Sequence, residues 1–127
     1  MDNRVSSLVN IFSEQYRVNF NQTYLQFIRE YLDEANRNEA TAQLADRDKF
    51  FAIAYLTFKT VNQVREEGRN EVTGENIREK ARGLCPYPPD PMGRCVGAML
   101  TIAANRKRLL QEMPSGLTEK LSQFELI

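Results

Sequence analysis

Apolar residues along this chain recur mostly at helical spacing. Between Arg4 and Tyr16, the residues Val5, Leu8, Val9, Phe12 and Tyr16 stand at i, i+3, i+4, i+7 and i+11, which is one stripe of an amphipathic helix. Asn19-Phe20-Asn21 interrupts the stripe, and either asparagine can cap a second helix predicted from about Gln22 to Ala35. There Tyr24, Leu25, Phe27, Ile28, Tyr31, Leu32 and Ala35 form a wide apolar face. Asn36 to Glu39 reads as a connector, and Ala40 to Ala45 can extend either neighbour. A long helix then opens at Asp46, a candidate N-cap, and stops at Gly68, a residue suited to the position after a helix end. Its first half, Phe50 to Leu56, is apolar nearly all round, which predicts a central helix buried on every side. Phe51, Ile53, Leu56 and Phe58 are expected among the most buried residues. The aromatic cluster Phe50, Phe51, Tyr55 and Phe58 has the chemistry of a base-stacking platform, but core packing explains it better.

The C-terminal half is organised around prolines. Thr73 can cap a short helix from Gly74 to about Arg82, with Glu75 favourable in its first turn, Ile77, Ala81 and Leu84 facing inward, and Gly83 at its end. Cys85-Pro86-Tyr87-Pro88-Pro89 cannot be helical, because each proline biases its predecessor to extended backbone. Asp90-Pro91 restarts a helix with an acidic cap and a proline whose missing N–H costs nothing at that position. That helix is predicted to run to about Glu112, with Met92, Val96, Met99, Ala103, Leu110 and Met113 along one stripe, before Pro114-Ser115-Gly116 stops it. Leu117, Leu121 and Phe124 suggest one last short helix, and no strand is expected. The pattern therefore predicts a single all-α domain of five or six helices. It comprises an N-terminal helical pair over residues 1–45, a helix-turn-helix-like unit over 46–113 and a C-terminal tail over 114–127.

Composition narrows the chemistry. The 127 residues are 42% apolar and 27% charged, ordinary for a chain that builds one core without metals or disulfides. Seventeen basic and 17 acidic residues balance, so no global charge draws the chain to DNA or membrane. No apolar run approaches the ~18 residues of a membrane span, and the N-terminus lacks a signal-peptide layout; a cytoplasmic protein without membrane contact is expected. The absence of histidine removes Ser-His-Asp and Cys-His catalysis and the commonest metal ligand. Cys85 and Cys95, ten apart, permit a disulfide across the loop, but free thiols are expected in a cytosol, and two thiolates alone cannot complete a four-ligand zinc site. Neighbouring acids such as Glu66/Glu67 and Asp33/Glu34 read as solvated surface charge, and there is no glycine-rich phosphate loop. The expectation is a binding protein with no cofactor, not an enzyme.

The order long helix, short capped helix, loop and helix from Pro91 is that of a helix-turn-helix unit. The stretch VTGENIREKARGLCPYPPDPMGRCVGAML resembles the recognition half of winged-helix-like domains common in phage and plasmid proteins. There a Thr-capped short helix precedes a proline-containing loop and a helix carrying an arginine and a small, glycine-containing apolar patch. Here Arg94 and Val96-Gly97-Ala98 stand at those places, and the resemblance covers about residues 48 to 110. It implies duplex DNA as the partner, met by the helix that starts at Pro91.

Charge points the same way. Residues 81–113 carry Arg82, Arg94, Arg106, Lys107 and Arg108 against Asp90 and Glu112, a local excess of +3, whereas residues 1–45 sum to −2. The candidate nucleic-acid contacts are Arg94, near the helix start where base edges are reached, and Arg106, Lys107 and Arg108, which can neutralise phosphates. Cations near a helix C-terminus also satisfy the macrodipole with no ligand. Gly93 and Gly97 permit close approach by a neighbouring helix or a phosphate backbone. The competing expectation is a helical protein-interaction or adaptor module without nucleic-acid contact. In it Tyr87, rigid between prolines, is the contact residue, and the first helix, on a flexible asparagine-rich joint, docks into a partner or swaps into a homodimer.

Overall fold

A computed structural model describes residues 3–85 and 91–127, with the side chains of all but 91–95. The first helix, α1 (Asn3–Tyr16), buries Val5, Leu8, Ile11 and Phe12, while Val9 and Tyr16 are half-buried at the edge of the stripe. The asparagine-rich joint that follows is not the flexible tether expected from sequence. Asn19–Phe20 forms a short strand, β1, paired in parallel with β2 (Glu71–Val72) in the register Asn19↔Glu71 and Phe20↔Val72. Backbone bonds from Asn19 N–H to the Asn70 carbonyl (2.8 Å) and from Asn21 N–H to the Val72 carbonyl (3.1 Å) fasten α1 to the middle of the chain. Two-residue strands leave no alternation for a pattern search to find, and their pairing spans about fifty residues of sequence.

Asn21 then caps α2 (Gln22–Arg37), accepting from the backbone of Thr23 and Tyr24. The Thr23 hydroxyl donates to the Asn21 side chain (2.5 Å) and accepts from Gly74 N–H (2.9 Å), so the start of α2 is tied to the start of α5 (Gly74–Leu84). Glycine is required at position 74, because a Cβ there would overlap the Thr23 carbonyl. Asn38, in the expected connector, caps the single-turn α3 (Glu39–Ala42), so Ala40–Ala42 belong to a helix of their own instead of extending a neighbour.

The long helix α4 (Asp46–Glu66) is the centre of the molecule. Its cap is Ala45, with no side-chain bond; Asp46 is instead the first helical residue and joins Asp48 in the acidic first turn. Every residue from Lys49 to Phe58 is buried, which includes Phe51 (0% exposed), Ile53, Leu56 and Phe58 as the pattern predicted. The aromatic cluster thus lies in the core and offers no stacking surface. Lys49 reaches the edge of this core and donates to the Asn36 amide at 2.8 Å. Inside it, the Thr57 hydroxyl donates to the Ile53 carbonyl (2.8 Å), so Tyr24 must be the donor in its 2.7 Å bond to Thr57. Gly68, at φ +77°, ends the segment in the left-handed conformation.

Thr73 and Asn76 make a reciprocal capping box at the start of α5, which runs one residue past Gly83 to Leu84. The next helix, α6 (Pro91–Ala104), packs against α2, α3, α4 and α5 and buries Val96, Ala98, Met99 and Ile102. Sequence periodicity predicts one helix continuing to Glu112. Instead the chain turns at Asn105 and resumes as α7 (Arg106–Leu110), packed on α4. Finally α8 (Ser115–Gln123) lies against α1 and buries Leu117 and Leu121, with Leu126 and Ile127 also buried and Phe124 49% exposed. Among the described residues, no helix is long and apolar enough to cross a membrane.

Candidate nucleic-acid interface

The elbow between α6 and α7 originates in one asparagine. The Asn105 side chain donates to the Thr101 carbonyl at 2.8 Å, while its own N–H is shared between the carbonyls of Thr101 (3.2 Å) and Ile102 (3.1 Å). Such local side-chain bonds compete with helix propagation, and Asn105 sits at φ −110°, ψ 20°, outside the helical region. After the elbow, the step of about 100° between successive helical residues points the three consecutive cations of α7 into different surroundings.

Arg106 turns inward. Its guanidinium lies 4.8 Å from the centre of the Phe51 ring, 3.5 Å from the Asp48 carboxylate and 3.5 Å from the Arg47 carbonyl, to which it donates. The side chain is 27% exposed and its charge is matched by Asp48. This is a structural role: the cation covers the edge of the core and bridges α7 to the first turn of α4.

Lys107 and Arg108 turn outward. With Ala104, Asn105 and Gln111 they line an open depression of about 400 Å³, and none of these lining residues is acidic. Lys107 is exposed and has no hydrogen bond or ion pair among the described residues. The Arg108 guanidinium is 68% exposed and lies 3.8 Å from Glu112 Oε2. Glu112 is itself held from the other side: its Oε1 accepts from the Tyr55 hydroxyl (2.9 Å) and lies 3.8 Å from Lys59 Nζ. Burial, reinforced by this carboxylate, pushes the Tyr55 phenol up to about 12. Upstream on α6, Thr101 and Ala104 are exposed and Gly97 and Leu100 are half-buried.

The four expected contacts are therefore not one cluster. Lys107 and Arg108 share a depression, Arg106 is committed to the core edge, and the Arg94 side chain lies outside the described residues. Tyr87 also lies outside them, as does the side chain of Cys95. Cys85 is a buried free thiol whose sulfur fills the space above Gly97; a Cβ at that glycine would come within 2.5 Å of it. Gly97 thus serves close packing of α6 on the end of α5, not approach by a phosphate. Among the described residues no three Cys, Asp or Glu side chains converge to hold a metal ion.

Sequence reasoning overlooked Asn105, Gln111, Glu112 and Lys59. The signal available for Asn105 was a helix-weak residue whose amide can bond its own backbone, set directly before the basic triplet. Nothing local could have linked Lys59, on α4, with Glu112, in the turn after α7. Comparison with protein-family models, with curated proteins and with solved structures returns no match.

Proposed function

We propose that this chain is a non-enzymatic binder of duplex DNA that uses the outer side of the α6–α7 elbow. The observation that carries the reading is the depression lined by Lys107 and Arg108 beside the amides of Asn105 and Gln111, with no acidic lining residue among the described residues. Cations of this kind neutralise phosphates, and amides donate to phosphate oxygens without sequence preference. The mutual packing of α4, α5 and α6 supports reading residues 46–113 as a helix-turn-helix-like unit. Arg94, on α6 two turns before the exposed Thr101, is the base-reading residue in this proposal, and Arg106 is not a contact.

Titration with mixed-sequence duplex at low salt tests it. Non-specific binders reach ~10⁻⁴–10⁻⁶ M at physiological salt and bind more tightly as salt falls, so binding at low salt is expected below tens of micromolar. Lys107→Ala weakens all sequences alike and lowers the salt slope by about one phosphate contact. Arg94→Ala removes about 1–3 kcal/mol of sequence preference. No binding at tens of micromolar overturns the DNA reading and leaves the helical protein-interaction module in its place.

A further inference from the structure

One carboxylate stands between the elbow and the middle of α4. Glu112 has Tyr55 and Lys59 of α4 on one oxygen and Arg108 of α7 on the other. The two kinds of contact differ. The Tyr55 hydroxyl makes a normal 2.9 Å hydrogen bond from a buried ring, whereas both cations lie at 3.8 Å, beyond hydrogen-bond length. Their side chains are also well exposed, 40% for Lys59 and 68% for Arg108, against 37% for Glu112 itself. Loose, exposed ion pairs of this kind contribute little to folding and are readily exchanged for another anion. Tyr55 thus fixes the carboxylate in place while leaving the two cations exchangeable.

We propose that Glu112 is an internal competitor for phosphate, and that Lys59 is a further backbone contact which the duplex takes from it. The surface used would then extend from Lys107 through Arg108 to Lys59, crossing from α7 to α4. It stops there, because the depression beyond Lys59, about 340 Å³, is lined by Gln63, Glu79, Lys80, Gly83 and Leu84, where one acid offsets the one further base. On this view Glu112 weakens non-specific binding by holding two of the three cations until a phosphate displaces it. The inference rests on the proposed DNA reading and adds to it the residues that set the strength of backbone contact.

The test uses Glu112→Gln, Lys59→Gln and the double variant, each checked for folding by circular dichroism, with duplex titrated at several salt concentrations. Glutamine keeps an oxygen that accepts from Tyr55, so the core edge is retained. Glu112→Gln should tighten low-salt binding about five-fold, the factor for one charge at ~4 Å in water. Lys59→Gln should weaken it and lower the salt slope by about one contact. In the Lys59→Gln background the gain from Glu112→Gln should shrink, because one of the freed cations is missing. If Glu112→Gln leaves affinity unchanged while Lys107→Ala still weakens it, the competitor role is wrong and the DNA reading survives. An equal gain with and without Lys59 likewise overturns Lys59 as a contact. Absence of binding by every form overturns the DNA reading and this inference with it.

Discussion

The inner side of the α6–α7 elbow faces α4, and there Arg106 lies over Phe51 within reach of Asp48. On the outer side Lys107, the next residue, has no partner among the described residues and lines an open depression with Arg108. Three adjacent cations read alike in sequence, yet their successive positions around α7 divide them into one that supports the fold and two that face solvent. Local charge density alone is therefore a poor guide to a binding surface. What separates the two sides is whether an aromatic ring and a carboxylate already occupy the cation's reach.

Changes on the inner side should act on stability. Phe51→Ala is expected to cost about 3–5 kcal/mol, since the ring is fully buried and also carries the Arg106 guanidinium. Denaturant unfolding followed by circular dichroism measures it, and a loss below about 1 kcal/mol would mean that the α4–α7 seam is not core.

Alkaline pH acts on the same side. The folded Tyr55 phenol is raised to about 12 from an ordinary value of 10.0, by burial first and then by the Glu112 carboxylate. Burial raises Tyr24 as well. Folding holds both rings neutral, so their contribution is fully present below pH 10; the Tyr55 part is lost as pH rises through about 12, and the Tyr24 part is lost at still higher pH. Unfolding curves across that window should show stability falling, and Tyr55→Phe should flatten the fall. An unchanged slope in that variant would remove Tyr55 from the account.

The smallest stability effect is the sharpest for the comparison. Arg106→Ala should cost about 0.5–1 kcal/mol through the lost ring contact, whereas Lys107→Ala should stay within about 0.5 kcal/mol of the parent. Equal losses would erase the distinction between the two sides.

The helices were legible because their apolar stripes repeat locally: Val5, Leu8 and Phe12 in α1, and the continuous run Phe50 to Leu56 in α4, all face inward as patterned. Caps with a side-chain mechanism were legible too, at Asn21 and Thr73. The parallel pairing of Asn19–Phe20 with Glu71–Val72 was not, because two residues carry no period and the partner is remote. Of the proposed binding surface, the basic residues could be found but not their directions. Those depend on Phe51 and Asp48 arriving from α4 and on Glu112, in the turn after α7, meeting Lys59 of α4. Each is a tertiary contact with no signature in local sequence.

The central claim, that the outer and not the inner side of the elbow meets nucleic acid, is tested most directly by the salt dependence of duplex binding. Parent protein, Lys107→Ala and Arg106→Ala are titrated with the same duplex from 50 to 200 mM salt, a range across which about 6–10 phosphate contacts change affinity ~10³–10⁵-fold and fewer contacts proportionately less. Lys107→Ala should lower the slope of log K against log salt by about 0.9, and Arg106→Ala should leave it unchanged once the protein is shown to be folded. A slope lowered by Arg106→Ala and untouched by Lys107→Ala would contradict the account.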